Sequence, residues 1–206
     1  MEMQPHELLD AACFRTRFQR PLAELVSPDW LAKLLQPGST GPLAPDDEVK
    51  AAVRDLFRVA GYKPTGRGKP ASEYLVKAVA ANKLSTINPA VDACNAVSYH
   101  SGLPISVIDT ELTTPPYRVG IAGDEGRYVF NRSGQEIRFP GLFCLYDSEG
   151  PCANGVKDSQ RTKTCDSTTA TLTVIWGTAA LPGRTAAACD WYRDLLHRQG
   201  AETELV

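Results

Sequence analysis

Between Asn88 and Asp109 the chain has little choice of structure. Asn88 is a good helix N-cap, and Pro89 fits the first helical position, where its missing N–H costs nothing. Ala90, Val91, Cys94, Val97, Ser98 and Ser101 recur at helical spacing and form an apolar or small face. Gly102 can adopt the left-handed conformation that closes a helix, and Pro104 prevents continuation. The spacing therefore predicts one capped helix with a sharp exit. Asp92 and Asn95 are three residues apart and share a different face, with Tyr99 one turn further on. Taken alone, these two side chains read first as braces for nearby backbone, which is how Asp and Asn are often used. A small polar group opposite a packing face can also carry chemistry.

Composition narrows the function classes. The chain has 206 residues, enough for a real core in one large domain or two small ones. Its formal charge of −2 gives no global basic field, so any nucleic acid must meet a local patch. No apolar run approaches membrane-spanning length. The start of the chain lacks a positive segment followed by an apolar one, so no secretory signal is expected and a cytoplasmic location is. The six cysteines (Cys13, Cys94, Cys144, Cys152, Cys165 and Cys189) form no Cys-x-x-Cys pair, and no His stands at zinc-ligand spacing from two of them. Reduced thiols, with no metal and no cofactor, are the expectation.

Taken in order, residues 1 to about 26 form a weakly amphipathic stretch, and Ser27 to Leu35 a short capped helix. Residues 36–45 are rich in Pro, Gly, Ser and Thr and read as a loop. Asp46 caps a helix in which Val49, Val53, Leu56, Phe57 and Ala60 keep the helical period, and Gly61 ends it. Ser72 opens another helix. Beyond Asp109 the pattern turns to strands: Tyr117 to Ala122, Arg127 to Phe130, a buried run from Leu142 to Tyr146, and Thr169 to Trp176. Cys152 to Lys163 has no clean period and is either a surface loop or a site wall. Thr185 to Gln199 is a C-terminal helix. The expected fold is α+β: N-terminal helices, a central antiparallel β region and a C-terminal covering helix. Residues 1–45 are expected as an N-terminal helical extension on a domain spanning 46–206.

The segment from Tyr62 to Pro70 holds two Gly, two Pro and three basic residues. It is either a solvated connection or a phosphate or carboxylate clamp made from backbone N–H groups and cations. It lacks the spacing of a nucleotide-hydrolysing loop.

The run Asn88-Pro89-Ala90-Val91-Asp92-Ala93-Cys94-Asn95, followed by Gly102-Leu103-Pro104 and Asp109, resembles the tRNA-editing module of the bacterial phenylalanyl-tRNA synthetase β subunit, formed by that subunit's third and fourth domains. Asp147-Ser148-Glu149-Gly150-Pro151 and the Ser/Thr-rich approach at 162–168 agree in order, and the resemblance spans about residues 62 to 178. Small stand-alone relatives carry the same unit, and their Lys-Pro-Thr-Gly and Arg-Thr-Lys motifs recur as Lys63-Pro64-Thr65-Gly66 and Arg161-Thr162-Lys163.

The resemblance implies a sieve that accepts the 3′ end of a mischarged tRNA and hydrolyses its aminoacyl ester. It assigns the aminoacyl contact to Asn95, puts Ser106 where the family has a His, and puts Gln160 where the family has a Glu that reads a tyrosine hydroxyl. Gly155 joins these as a substrate contact. Lys63, Thr65, Arg67, Lys69, Arg161 and Lys163 are the expected tRNA contacts. Because the His and the Glu are both replaced, tyrosine specificity does not carry over. An activated ester needs mainly a positioned water and oxyanion stabilisation, so the absence of an evident triad among His6, His100 and His197 is no obstacle. His100 reads as a helix-end or surface residue, and Cys94 and Cys152 as buried small hydrophobes or pocket lining. The implied partner is an aminoacyl-tRNA, with a biosynthetic or translation enzyme as a further candidate and no membrane. Three readings follow in order: a deacylase acting in trans, a binding module without hydrolysis, and an interaction protein that keeps only the fold.

Overall fold

A computed structural model describes residues 1–206. In chain order the strands are β1 (Glu2–Met3), β2 (Leu9–Arg17), β3 (Ile105–Asp109), β4 (Arg118–Ile121), β5 (Arg127–Val129), β6 (Glu136–Arg138), β7 (Phe143–Asp147), β8 (Gly150–Asn154), β9 (Ala170–Thr178) and β10 (Glu202–Leu205). The helices are α1 (Asp29–Leu34), α2 (Asp47–Arg58), α3 (Ala71–Ala80), α4 (Pro89–Ser101) and α5 (Arg184–His197). The class is α+β. One four-stranded sheet runs β10-β2-β9-β3 and is antiparallel throughout. A second runs β1-β4-β7-β8, antiparallel except for the short β1–β4 pair. The hairpin β5–β6 stands apart from both.

The helix limits follow local chemistry. The Asp46 carboxylate accepts the Val49 N–H at 2.8 Å, and the Asn88 side chain accepts the Val91 N–H at 3.0 Å. Gly102 closes α4 at φ 71°, and a Cβ there would lie 2.7 Å from Val49 Cγ1. Only glycine meets both conditions.

The largest departure from expectation lies at the N-terminus. Residues 9–17 are not helical. They form β2, paired residue for residue with β9 from Leu9↔Thr178 to Arg17↔Ala170, while β10 pairs on the other edge. Hence no break in the sheet coincides with the boundary drawn near residue 45: β2, before it, is hydrogen bonded to β9, after it. The reason is tertiary. Phe14 is completely buried and meets Tyr192 of α5 edge-on, with ring centroids 5.1 Å apart. Burial of such a side chain is worth about 2–3 kcal/mol, enough to override a weak local helical pattern. The expected short helix before Leu35 is α1, the expected C-terminal helix is α5, and β3, β8 and β10 are strands that the periodicity did not reveal.

The core is continuous, with Trp176, Ile108, Leu145 and Leu103 among its fully buried side chains. Helices α4 and α5 pack against each other and onto the β2–β9–β3 part of the first sheet. Strand β3 lies at that sheet's edge and faces β8, and the segment after β8 returns to β3 through an isolated antiparallel bridge between Lys163 and Ile108. No helix is long and apolar enough to cross a membrane.

Candidate functional site

The two polar residues of α4 have different environments. Asp92 is fully buried; it accepts the Ser27 hydroxyl and, at 2.9 Å, the Ile87 N–H. It bolts the N-terminal segment to the start of α4. Burial pushes its carboxyl up, and the bonds from Ser27 and Ile87 partly offset that. Asn95 is half-buried and lines a cleft of about 290 Å³ between α3 and α4. Tyr74, Leu75 and Ala78 form the α3 wall, Cys94 and Ser98 stand beside Asn95, and Ile105, Val156 and Lys157 close the bottom and one end. Four roomier depressions hold about 370 to 590 Å³. Asn95 and Lys157 line none of them, and the depression between α2 and α3 is crossed by the bidentate Arg54–Glu73 ion pair at 2.6 and 2.8 Å. The smaller cleft is where the chemistry converges.

The turn after β8 shapes the cleft floor. Asn154, buried, accepts the N–H groups of Val156 and Lys157 at 2.8 and 3.1 Å through its side-chain oxygen. Its Nδ2 donor, also buried, has no partner. A Cβ on Gly155 would lie 2.6 Å from Phe57, and the Gly155 carbonyl accepts the Ala71 N–H at 2.9 Å. Gly155 is therefore a packing and anchoring residue beneath the cleft, and this geometry accounts for it without a substrate.

This turn delivers Asp158, which the periodicity did not single out. Burial pushes its carboxyl up to about 7; the Ser106 hydroxyl, the Lys163 charge and the backbone at Val107 and Asn154 oppose that rise. A carboxyl at that level exchanges its proton near neutral pH, a property more frequent at functional sites than elsewhere. Lys163 is half-buried, donates from Nζ to the Phe130 carbonyl, and faces both Asp158 and Lys157. Burial lowers its pKa, against the pull of Asp158. Lys157 stands 4.2 Å above the Phe130 ring; burial and then the charge of Arg67 lower its pKa. Asn95 and Lys157 line this opening, while Asp158 lies within electrostatic reach of Cys94 in its wall and Lys163 and Arg67 within reach of Lys157.

The remaining expected residues divide. Ser106 is buried and its oxygen accepts the Trp176 Nε1–H at 2.9 Å, with Asn154 O at 3.2 Å. It is part of the floor. Gln160 opens a short 3-10 turn, Gln160–Thr162, whereas the carboxyl that meets Ser106 belongs to Asp158, two residues earlier. Arg161 is engaged: it forks onto Asp147 at 2.9 and 2.8 Å and also reaches Glu149 and the Leu112 carbonyl, each at 3.4 Å. That pairing leaves its guanidinium no free fork for a phosphate. Lys63, Thr65 and Arg67 are exposed on the 63–69 loop, while Lys69 turns into the groove between α2 and α3. The Tyr62 hydroxyl donates to Gly68 O at 3.1 Å and the Tyr74 hydroxyl to Gly66 O at 2.7 Å. The N–H groups of Thr65 and Gly68 bond within the loop, so a clamp there rests on side chains rather than on those amides.

His100 is not at the surface. It is buried against Trp191, and its Nε2 lies 2.9 Å from the Leu34 carbonyl, away from the cleft. Burial lowers its pKa. Cys94 lines the cleft and Cys152 lies under Arg161; burial pushes both thiols up to about 12, so neither is a thiolate at neutral pH. Asp158 had one weak signal in the sequence, an Asn-Gly turn followed within a few residues by adjacent opposite charges.

A family model for the B3/4 domain, a module of the phenylalanyl-tRNA synthetase β subunit, matches residues 58–187. Among solved structures, an N-terminal fragment of the phenylalanyl-tRNA synthetase β subunit from Pyrococcus horikoshii is similar at 13% identity and a TM-score of 0.48, covering 55% of this chain and 40% of that one. This chain thus spans less than half of that fragment. No curated protein matches the chain. The family match covers well over half of the sequence, and the chain belongs to the B3/4 domain family.

Proposed function

We propose that this B3/4-domain chain takes the aminoacylated 3′ end of a tRNA into the α3–α4 cleft and hydrolyses the ester, acting in trans in the cytoplasm. The observation that carries the reading is a cleft lined by Asn95 and Lys157 with Asp158 within electrostatic reach of its Cys94 wall, and with Lys163 and Arg67 within reach of Lys157. Asn95 orients the aminoacyl group from the α4 wall. Asp158, ionised, accepts a proton from the attacking water as that oxygen bonds to the ester carbonyl. The tetrahedral oxyanion is held by the Asn95 amide and the Lys163 ammonium. The intermediate collapses, the bond to the ribose oxygen breaks, and Asp158 returns the proton to that oxygen. Lys157, Arg67 and Lys63 hold the terminal phosphates.

A second reading has support of its own. No His enters the cleft, and the Ser106 hydroxyl is bound to Trp176 and Asn154. A module that binds aminoacyl-tRNA without cleaving it, and hands it to a biosynthetic or translation enzyme, would look the same. Both readings meet one experiment: a panel of mischarged tRNAs incubated with the protein, with Asn95→Ala and with Asp158→Asn. The first reading expects at least one ester to disappear faster than spontaneously and both variants to slow its loss. Spontaneous rates throughout the panel, beside an active synthetase control, would refute hydrolysis, and slower-than-spontaneous loss would identify a binder.

A further inference from the structure

The hairpin β5–β6 has one face fixed to the molecule. Tyr128 is buried, stacks at 4.5 Å on Phe139, and donates its hydroxyl to the Lys157 carbonyl. Ile137, its cross-strand partner, is half-buried beside it. The outer face is unusual. Arg127 and Arg138 are direct cross-strand partners and both are exposed. Side chains so placed stand about 5 Å apart at Cβ, and like charges there are destabilising. Neither arginine has an ion-pair partner; every salt bridge of the molecule lies elsewhere. The one anchor is Arg138 Nη2 donating to the Asp124 carbonyl at 3.3 Å. Arg132, in the connecting turn, is also exposed and unpaired. Asp124, Glu125 and Glu136 share the hairpin, yet none of them bridges to an arginine.

The hairpin is also tied to the cleft. Its Phe130 carbonyl accepts Lys163 Nζ, and its Phe130 ring lies under Lys157. The hairpin that carries the outward arginines is therefore fixed to Lys157, a residue of the cleft.

We infer that the outer face of this hairpin is a phosphate-contact surface for RNA, namely the part of the tRNA that adjoins its 3′ end. The inference rests on the reading of the cleft as an aminoacyl-tRNA site. A guanidinium keeps its charge and presents a fork that matches phosphate oxygens, and a phosphate between two of them removes their repulsion. Strand β5 runs from Arg127 to Val129 and Arg132 sits in the turn beyond it, so the basic positions are spread along the hairpin rather than gathered on a single anion.

The test is binding of uncharged tRNA to the full chain, followed by fluorescence anisotropy from about 50 to 200 mM salt. Three proteins are compared: the unsubstituted chain, Arg127→Gln/Arg138→Gln, and the charge-keeping Arg127→Lys/Arg138→Lys. The glutamine pair should bind about tenfold or more weakly, and its log–log salt slope should fall by about 1.5, as expected for two lost phosphate contacts. Its melting temperature should hold or rise, and the lysine pair should recover the slope. If the unsubstituted chain binds tRNA and the glutamine pair matches it in affinity and slope, the hairpin inference fails while the cleft reading stands. The hairpin inference fails in the same way if the chain deacylates a short aminoacylated 3′-end analogue but does not bind whole tRNA, as it would if the arginines serve an acidic protein. If it neither binds tRNA nor deacylates, both fail together.

Discussion

Asp147 and Asp158 lie on the same stretch of chain, one at the end of β7 and the other just after β8, yet their environments have opposite effects. The Asp147 side chain is fully buried and fully partnered. Burial alone would raise its carboxyl, but the Arg161 fork and the N–H groups of Thr114 and Glu149 hold it at about 2. Asp158 has no guanidinium fork on its oxygens; the Ser106 hydroxyl, the Lys163 charge and the backbone at Val107 and Asn154 are weaker, and burial wins, leaving it at about 7. One carboxylate is a permanent charge that fastens the β7–β8 turn to the Gln160–Thr162 turn. The other is a group that titrates within electrostatic reach of the cleft residue Cys94. A buried acid is structural when donors and a cation satisfy its oxygens, and reactive when they fall short.

Four substitutions test this contrast. The largest effect is expected for Asp158→Asn, which should slow deacylation by about 10²–10⁴-fold, the usual contribution of a positioned acid–base group, without lowering stability. Initial rates and melting curves check both halves. The stability-versus-pH behaviour should separate the two acids as well. Asp158 is raised above its unfolded value, so between about pH 4 and 7 the folded chain binds the extra proton and stability falls as pH rises; the Asn variant should lose that decline. Asp147 is depressed, so its contribution is present above about pH 4 and fades as pH drops toward 2.

Next comes Arg161→Ala, which leaves a buried carboxylate unpaired. About 3 kcal/mol of stability should be lost by denaturant unfolding, the low end for a broken buried pair because a third of the Arg161 side chain (34%) remains in water. Deacylation per folded molecule should hold, since Arg161 does not line the cleft; a matching loss of rate would show that the two regions are coupled. Ser106→Ala should cost about 1–3 kcal/mol by stranding the Trp176 Nε1–H. It should also move the midpoint of the pH–rate profile upward, because the hydroxyl helps hold Asp158 down. An unmoved midpoint would detach Ser106 from the site. The smallest effect is Arg127→Thr, which relieves the cross-strand repulsion and should add about 0.2–1 kcal/mol of stability, read as a higher melting temperature.

Helix α4 was legible from the sequence because every signal that bounds it is local: the Asn88 cap, Pro89, the apolar period and Gly102 act within a turn or two. The same holds for α2 with its Asp46 cap. The resemblance singled out Asn95, and the structure sets it on a cleft. Local signals therefore suffice for these helices, the α+β class and the family pattern. They do not settle the fate of residues 9–17, whose strand exists only because β9 lies alongside it, more than 150 residues away in sequence. Nor could they distinguish Arg161, paired with Asp147, from Lys163, which faces Asp158, although the two belong to one tripeptide. Local patterns report backbone preference and one-sided burial, which short-range sterics and hydrogen bonds set. Whether a given charge is paired, desolvated or free depends on groups brought from distant parts of the chain, and only the tertiary structure supplies those.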